Sequence, residues 1–556
     1  MPSRDRDDAT SSGVEGLARS ISAVPEAFVC LTALATAVGV IAAWAGLRPL
    51  ASAGTSRAIV LALVLFALVF TSHRLRAGEH PVQSLLPALP ALVLVGYGLV
   101  VRVLSPGERA EWFLGGDHVR HLLFVADERA TGSLDYAVQS YPRGWHTLVA
   151  TVWAATGAQL DGAGLRSLVD LMSTAVWLLP ALLSLVTGSL AVEVARRYGA
   201  GRTEWSVAGL GAAAAVLLPS FLANYQALGF ENSYVGAIVL AVLAKQVVVV
   251  DESRALRAAF VAVAGVVVCA HSWQLLLPTA GVAYLYLAWP VVRRGKARDR
   301  LALAVASVLG AAVSLPAMLA VFTVIGIQHA TDSGVRAPVP VALLVAGVAC
   351  ASGVAYRRPR DGSLRTLLAI VVLPSVTAVA VAMRVGIPLS DYYPSKLLWH
   401  SAVLGLSPLA VVVVRGWAVL GERADSMLAR AARGLGGVTG ALLLAYALIS
   451  PAGAFVGAWS STRGPVTLGA ITSPGAGDAQ VVWLGAVGDD TIGRVLLDFY
   501  RIPDTYRTPQ PPLDVAEECE LLHAAKRPAV LSNRPGSEVR ARYACVPALE
   551  VVPVLR

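Results

Sequence analysis

The sequence predicts an all-α polytopic membrane protein, with about 13 transmembrane helices and a small extracytoplasmic α/β domain at the C-terminal end. Three observations carry this. The 556 residues are 56% hydrophobic and only 15% charged, whereas soluble domains carry about 25% charge. Apolar stretches of the roughly 20 residues needed to cross a bilayer recur along the chain. The arginines collect in alternate loops, as cytoplasmic loops require. That bias also accounts for the net charge of +9, so no nucleic-acid partner is expected.

The polar stretch Met1 to Ala18 precedes a long apolar run, which predicts a cytoplasmic tail (1–23) and no cleavable leader. Spans are predicted near 24–44, 58–72, 84–104, 168–192, 205–222, 233–250, 258–271, 273–290, 301–325, 339–356, 365–384, 397–415 and 437–458. Arg74 and Arg76, Arg196 and Arg197, Arg254 and Arg257, Arg293 and Arg294, Arg357 and Arg358, and Arg415 with Arg423, Arg430 and Arg433 follow the even-numbered spans. Those loops are therefore predicted to be cytoplasmic. Segment 24–458 is read as the transmembrane domain, with a large outer loop at 105–167 and an extracytoplasmic domain at 459–556.

The apolar run Trp145 to Thr156 is too short to cross, and counting it would invert every downstream loop. It is predicted as a juxtamembrane or re-entrant helix. In His118 to Arg129, the positions Val119, Leu122, Leu123 and Ala126 repeat at helix spacing, which predicts an amphipathic surface helix. The tail mixes strand-like runs (Val481 to Leu484, Ala529 to Leu531, Ala548 to Val554) with helical ones (Asp489 to Tyr500, Val515 to Ala525). Cys30, Cys269 and Cys350 lie in spans as packing residues. Cys519 and Cys545 lie in the tail, where a disulfide and two free thiols are both open.

The candidate chemistry lies in the outer loops, because ionisable groups beside lipid require a reason to be there. Asp117, after Gly115-Gly116, suits a general base that takes a proton from an attacking hydroxyl. It equally suits a helix N-cap. His121 lies four residues on and would share its helix face, with His118 and Arg120 in the same turn. Asp117, His118 and His121 could hold a divalent cation, although no fourth ligand is in view; no cofactor is otherwise implied. Tyr141-Pro142-Arg143-Gly144-Trp145-His146 forms either an interfacial aromatic belt or an aromatic and basic wall around a sugar or phosphate. Lys396, in Asp391-Tyr392-Tyr393-Pro394-Ser395-Lys396, is a cation on the side where cations are scarce. It would neutralise a phosphate leaving group, with His400 one turn further along. Glu231 and His271 are further candidates.

The order of these motifs resembles the membrane glycosyltransferases of the GT-C fold, and most nearly the actinobacterial galactan arabinofuranosyltransferases. The resemblance rests on Gly116, Asp117, Arg120 and His121, then Tyr141-Pro142-Arg143-Gly144-Trp145, and later Tyr392 to Lys396. It departs from many such enzymes in lacking a second acid beside Asp117, where His118 stands; the next acids are Asp127 and Glu128. The resemblance implies a polyprenyl-phosphate-linked sugar as donor, arabinofuranose in the nearest case. The acceptor would be a cell-wall glycan or lipid-linked glycan, and the site would adjoin membrane lipid. Asp117 would act as the base, Lys396 with Arg143 or Arg120 would face the departing phosphate, and Tyr392 and Tyr393 would line the lipid or sugar site. A transporter of a lipid-linked sugar would instead place ionisable residues mid-span and show repeats, and the sequence shows no repeat. Another lipid-linked transferase is the remaining alternative.

Overall fold

The computed structural model describes residues 5–72, 85–113, 117–136, 141–222, 225, 228–320, 339–422, 440–452, 463–473, 475–484, 490, 492–493, 496–500 and 514–554. Gly115, Gly116, Asn224, Arg74, Arg76, Arg423, Arg430 and Arg433 fall outside them, as do parts of the expected 301–325 and 437–458 spans.

The protein is mostly helical and multi-pass. Ten helices among the described residues are long and apolar enough to cross a membrane. In chain order the helices are α1 (Asp5–Trp44), α2 (Ala53–Ser72), α3 (Leu89–Val103), α4 (Pro106–Phe113), α5 (His118–Thr131), α6 (Gly144–Thr156), α7 (Gly162–Tyr198) and α8 (Arg202–Ala215). Next come α9 (Glu231–Val249), α10 (Ala255–Ser272), α11 (Leu277–Arg294), α12 (Ala297–Ala320), α13 (Val341–Arg357), α14 (Gly362–Val385) and α15 (Tyr392–Glu422). After these stand α16 (Gly440–Ile449), α17 (Arg463–Ile471), α18 (Val515–Ala524) and α19 (Gly536–Arg542). The three remaining predicted spans fall on α8, α13 and α16, which are not among the ten.

Burial sorts the helices. In α9, 94% of the apolar window is buried, against 11% in α2 and 22% in α12, so α9 is central and the other two face lipid. Their outer surfaces carry Leu61, Leu65, Leu68, Leu301, Val305 and Val308, all exposed. Such an apolar surface is stable only in hydrocarbon. The 37 residues of α7 extend about 55 Å, longer than the roughly 40–45 Å of a whole bilayer. Where α13 crosses α15, a Cβ on Gly347 would come within 2.7 Å of the Gly405 Cα, the close backbone approach that small residues permit.

The arginine-rich ends gather on one side. Arg197 at the end of α7 pairs with Asp361 before α14 at 2.9 Å, and Arg415 of α15 pairs with Glu204 of α8 at 2.8 Å. Arg294 pairs with Glu252, and Arg257 donates to the Phe70 carbonyl at 3.0 Å. At the other end, Asp170 of α7 holds Arg102 and Arg109.

α6 has 13 residues and spans about 20 Å, short of a crossing. It packs on α1, α2 and α5. The expected amphipathic surface helix needs correction. Nearly every residue of α5 is buried, including Asp127, Glu128 and Arg129 as well as the apolar stripe. Within it, Asp127 is held by Arg143.

The C-terminal region forms a parallel three-stranded sheet in the order β1 (Val481–Trp483), β2 (Ala529–Ser532), β3 (Glu550–Pro553), with Val481 opposite Val530 and Ala529 opposite Glu550. α18 and α19 supply its helices. Cys519 and Cys545 form a disulfide. One sheet face has its own core of Val481, Leu522, Val530, Val539 and Tyr543. The other face joins the main core through Phe499, Leu531 and Val552. Arg166 of α7 donates to Thr472 at 3.0 Å, a further tie between bundle and tail.

Candidate functional site

The site is assembled by a backbone clamp. The Asp117 N–H donates to the Leu228 carbonyl at 3.0 Å, tying the start of α5 to the turn before α9. Gly229 in that turn has φ +71, and a Cβ there would lie 2.4 Å from the His118 nitrogen. Only glycine fits, because backbone faces backbone and neither can yield. The clamp brings His118 and His121 onto Glu231, the first residue of α9.

Glu231 is 1% exposed and takes both imidazoles. His118 Nδ1 reaches one carboxylate oxygen, and His121 Nε2 reaches the other at 2.9 Å. His121 Nδ1 lies 2.6 Å from His146 Nε2 of α6, with the two rings stacked. Burial and then His121 hold the His146 imidazole well below its ordinary pKa. With His146 neutral, a single proton lies between the two facing ring nitrogens. The result is a continuous imidazole–imidazole–carboxylate chain.

Asp117 does not cap α5: its side chain makes no cap hydrogen bond. Its carboxylate is partly exposed. It acts electrostatically on Tyr141, Tyr392 and Lys396. Lys396 is 6% exposed, so it does not snorkel to water. Its ammonium is sandwiched 3.4 Å from the Phe230 ring and 3.7 Å from the Tyr392 ring, a cation–π clamp. The fields of Asp117 and Glu231 both act on it. Tyr393 packs edge-on to Tyr392, and Arg120 is exposed with its charge acting on Tyr392. The structure thus gathers Asp117, His118, Arg120, His121, His146, Glu231, Tyr392, Tyr393 and Lys396.

Other candidates sit behind this cluster. Arg143 is buried against Asp127 and stacks 4.8 Å over Phe124. Trp145 is buried beside His121 and His146. His400 has its nitrogens 2.6 Å from the Lys396 carbonyl and 3.0 Å from the Ser233 carbonyl, so it ties α15 to α9. His271 is likewise occupied, by Tyr136 and the Val313 carbonyl. Among the described residues no group of three or more His, Cys, Asp and Glu side chains could hold a metal ion. His118 and His121 turn to Glu231 instead of converging with Asp117.

Sequence reasoning missed Phe230, Phe124, Asn232 and the Asp127–Glu128 pair. Phe230 carried no signal beyond its place beside Glu231. Asn232 donates to Tyr141 at 3.2 Å and to the Pro142 carbonyl at 3.3 Å, fixing the 141–146 segment on α9. Adjacent acids inside an apolar helix were a legible sign of burial. Glu128 is 1% exposed, and burial pushes its carboxyl up to about 8, against the opposing pull of Arg143.

No family model matches the chain, and no curated protein is significantly similar to it in sequence.

Proposed function

We propose that the protein is a GT-C-like membrane glycosyltransferase. It moves a sugar, arabinofuranose in the nearest resemblance, from a polyprenyl phosphate to a cell-wall or lipid-linked glycan. The observation that carries this reading is a partly exposed carboxylate, Asp117, whose field acts on a buried ammonium, Lys396, at the end of the bundle opposite the arginine-rich loops. The arginine bias assigns that end to the outer face, with the N-terminus cytoplasmic. The Cys519–Cys545 disulfide is consistent with an oxidising compartment for the C-terminal region.

In this reading Asp117 accepts the proton of the acceptor hydroxyl. The freed oxygen attacks the anomeric carbon from the face opposite the phosphate, and the carbon–oxygen bond to phosphate breaks with inversion. Negative charge grows on the departing polyprenyl phosphate, and Lys396 stabilises it inside a low-dielectric aromatic pocket. Arg120 adds a second cation at the rim. The Glu231–His121–His146 chain is a rigid wall that holds α5, α6 and α9 in register. Tyr392 and Tyr393 offer faces to the lipid or the sugar.

The test is sugar transfer from radiolabelled decaprenyl-phosphate-arabinose to a galactan oligosaccharide, in membranes carrying wild type or Asp117→Asn. Transfer by wild type, lost in an inserted mutant, supports both the class and the base. Undiminished transfer by the mutant removes Asp117 from the role. No transfer from this or other polyprenyl-phosphate sugars overturns the reading.

A further inference from the structure

A second concave site lies at the arginine-rich end of the bundle. Arg197 from α7, Tyr286 from α11, Arg357 from the end of α13, and Arg358, Arg360 and Asp361 from the turn into α14 surround a depression with a volume of about 530 Å³. Asp361 is committed twice: it caps α14 through Ser363 N at 3.0 Å and holds Arg197 at 2.9 Å. Arg358 donates to the Tyr198 carbonyl at 3.4 Å. Arg357 and Arg360 are exposed and make no ion pair among the described residues.

Guanidinium groups stay charged at any working pH. Four of them around one depression, with a single carboxylate already committed to Arg197, concentrate a positive field that attracts an anion. The bias toward basic cytoplasmic loops explains arginines in a loop. It does not explain why helices distant in sequence converge on one concavity, or why Arg197 is oriented into it by a carboxylate. The surroundings also place it at the level of lipid headgroups. Trp289, one turn along α11 from Tyr286, is 62% exposed, and Tyr356, beside Arg357, is 85% exposed. Such exposed aromatics mark a membrane–water interface.

We infer that this depression binds a phosphate group, gripped by Arg357 and Arg360 with Arg197 and Arg358 held ready beside them. Planar guanidiniums match phosphate oxygens in pairs, and basic pockets between membrane helices suit phosphate headgroups. The phosphate belongs either to an anionic phospholipid of the adjacent leaflet or to a soluble oligophosphate. The inference stands apart from the transferase reading, since the site is at the opposite end of the bundle.

The experiment uses the full chain in nanodiscs. In one arm, phosphatidylcholine discs are titrated with inorganic pyrophosphate. In the other, discs doped with phosphatidylglycerol are examined by native mass spectrometry for retained lipid. Wild type is expected to bind saturably in one arm. Binding should weaken by about tenfold or more in Arg357→Gln/Arg360→Gln and persist in Arg293→Gln/Arg298→Gln, a control in the neighbouring basic loop. Retention of phosphatidylglycerol alone identifies a lipid site, and pyrophosphate binding a soluble ligand. Absence of binding in both arms overturns the inference. So does equal binding by the Arg357/Arg360 variant, or an equal loss in the control. The substituted side chains are exposed, so folding is expected to survive.

Discussion

His121 Nε2 meets the Glu231 carboxylate at 2.9 Å, while its other ring nitrogen faces His146 at 2.6 Å. One imidazole therefore joins α9 to α6 through two buried contacts. Replacing Glu231 with Gln leaves the buried His118 and His121 facing a neutral amide. Glu231→Gln is expected to lower stability by about 1–3 kcal/mol, read as a drop in the unfolding temperature of the detergent-solubilised protein. A stability equal to wild type would show that the carboxylate does not organise this wall.

Lys396 fills a slot between Phe230 and Tyr392 with a point charge. Lys396→Met is expected to reduce transfer by about 10²-fold or more in kcat, since the lost contact forms with the leaving group. Lys396→Arg should not restore it, because the longer, delocalised guanidinium stacks between the rings and does not put a point charge where the ammonium sits. Single-turnover rates with both variants check this. A change in KM alone would move Lys396 from the leaving group to ground-state binding.

The Glu128 carboxyl has its pKa raised from 4.5 to about 8 in the fold. Below the unfolded value both states are protonated and the group contributes nothing. As pH rises through that window, the unfolded chain releases its proton first, so the folded state loses relative stability until about pH 8. Glu128→Gln removes this penalty. The variant should gain on wild type progressively from pH 4.5 to about 8, in paired thermal melts. A pH-independent difference would place an ionised carboxylate beside Arg143.

The Cys519–Cys545 disulfide closes a segment with a sequence separation of 26. Cys519→Ser/Cys545→Ser should destabilise the C-terminal sheet by about 3 kcal/mol, seen as faster proteolysis of residues 514–554 with the bundle intact. In cells, a thiol reagent should label these cysteines only after reduction. Labelling without reduction would place the region in a reducing compartment.

The fold was legible wherever one physical signal acted alone. Apolar runs located the ten described helices long and apolar enough to cross a membrane, because length and hydropathy are local quantities. The run Trp145 to Thr156 was placed outside the spans from its length and the arginine pattern, and α6 is a short helix. The tail's strand-like and helical runs anticipated a small α/β region, while the parallel order of its strands came only from the structure; part of the expected helical run from Asp489 to Tyr500 lies outside the described residues. α5 was misread because its apolar spacing looked one-sided, and only segments distant in the sequence could cover its other face.

The sequence by itself determined that this chain is a multi-pass helical membrane protein, since insertion depends on composition along the chain. It also singled out Asp117, Glu231 and Lys396 as charges that need a reason to be near lipid. Tertiary structure alone decided which of them meet. The clamp at Gly229 sets His118 and His121 on Glu231, and Phe230 and Tyr392 enclose Lys396. Apart from Tyr392, one turn from Lys396 on α15, these contacts join residues more than a hundred positions apart, and no local pattern encodes such a distance.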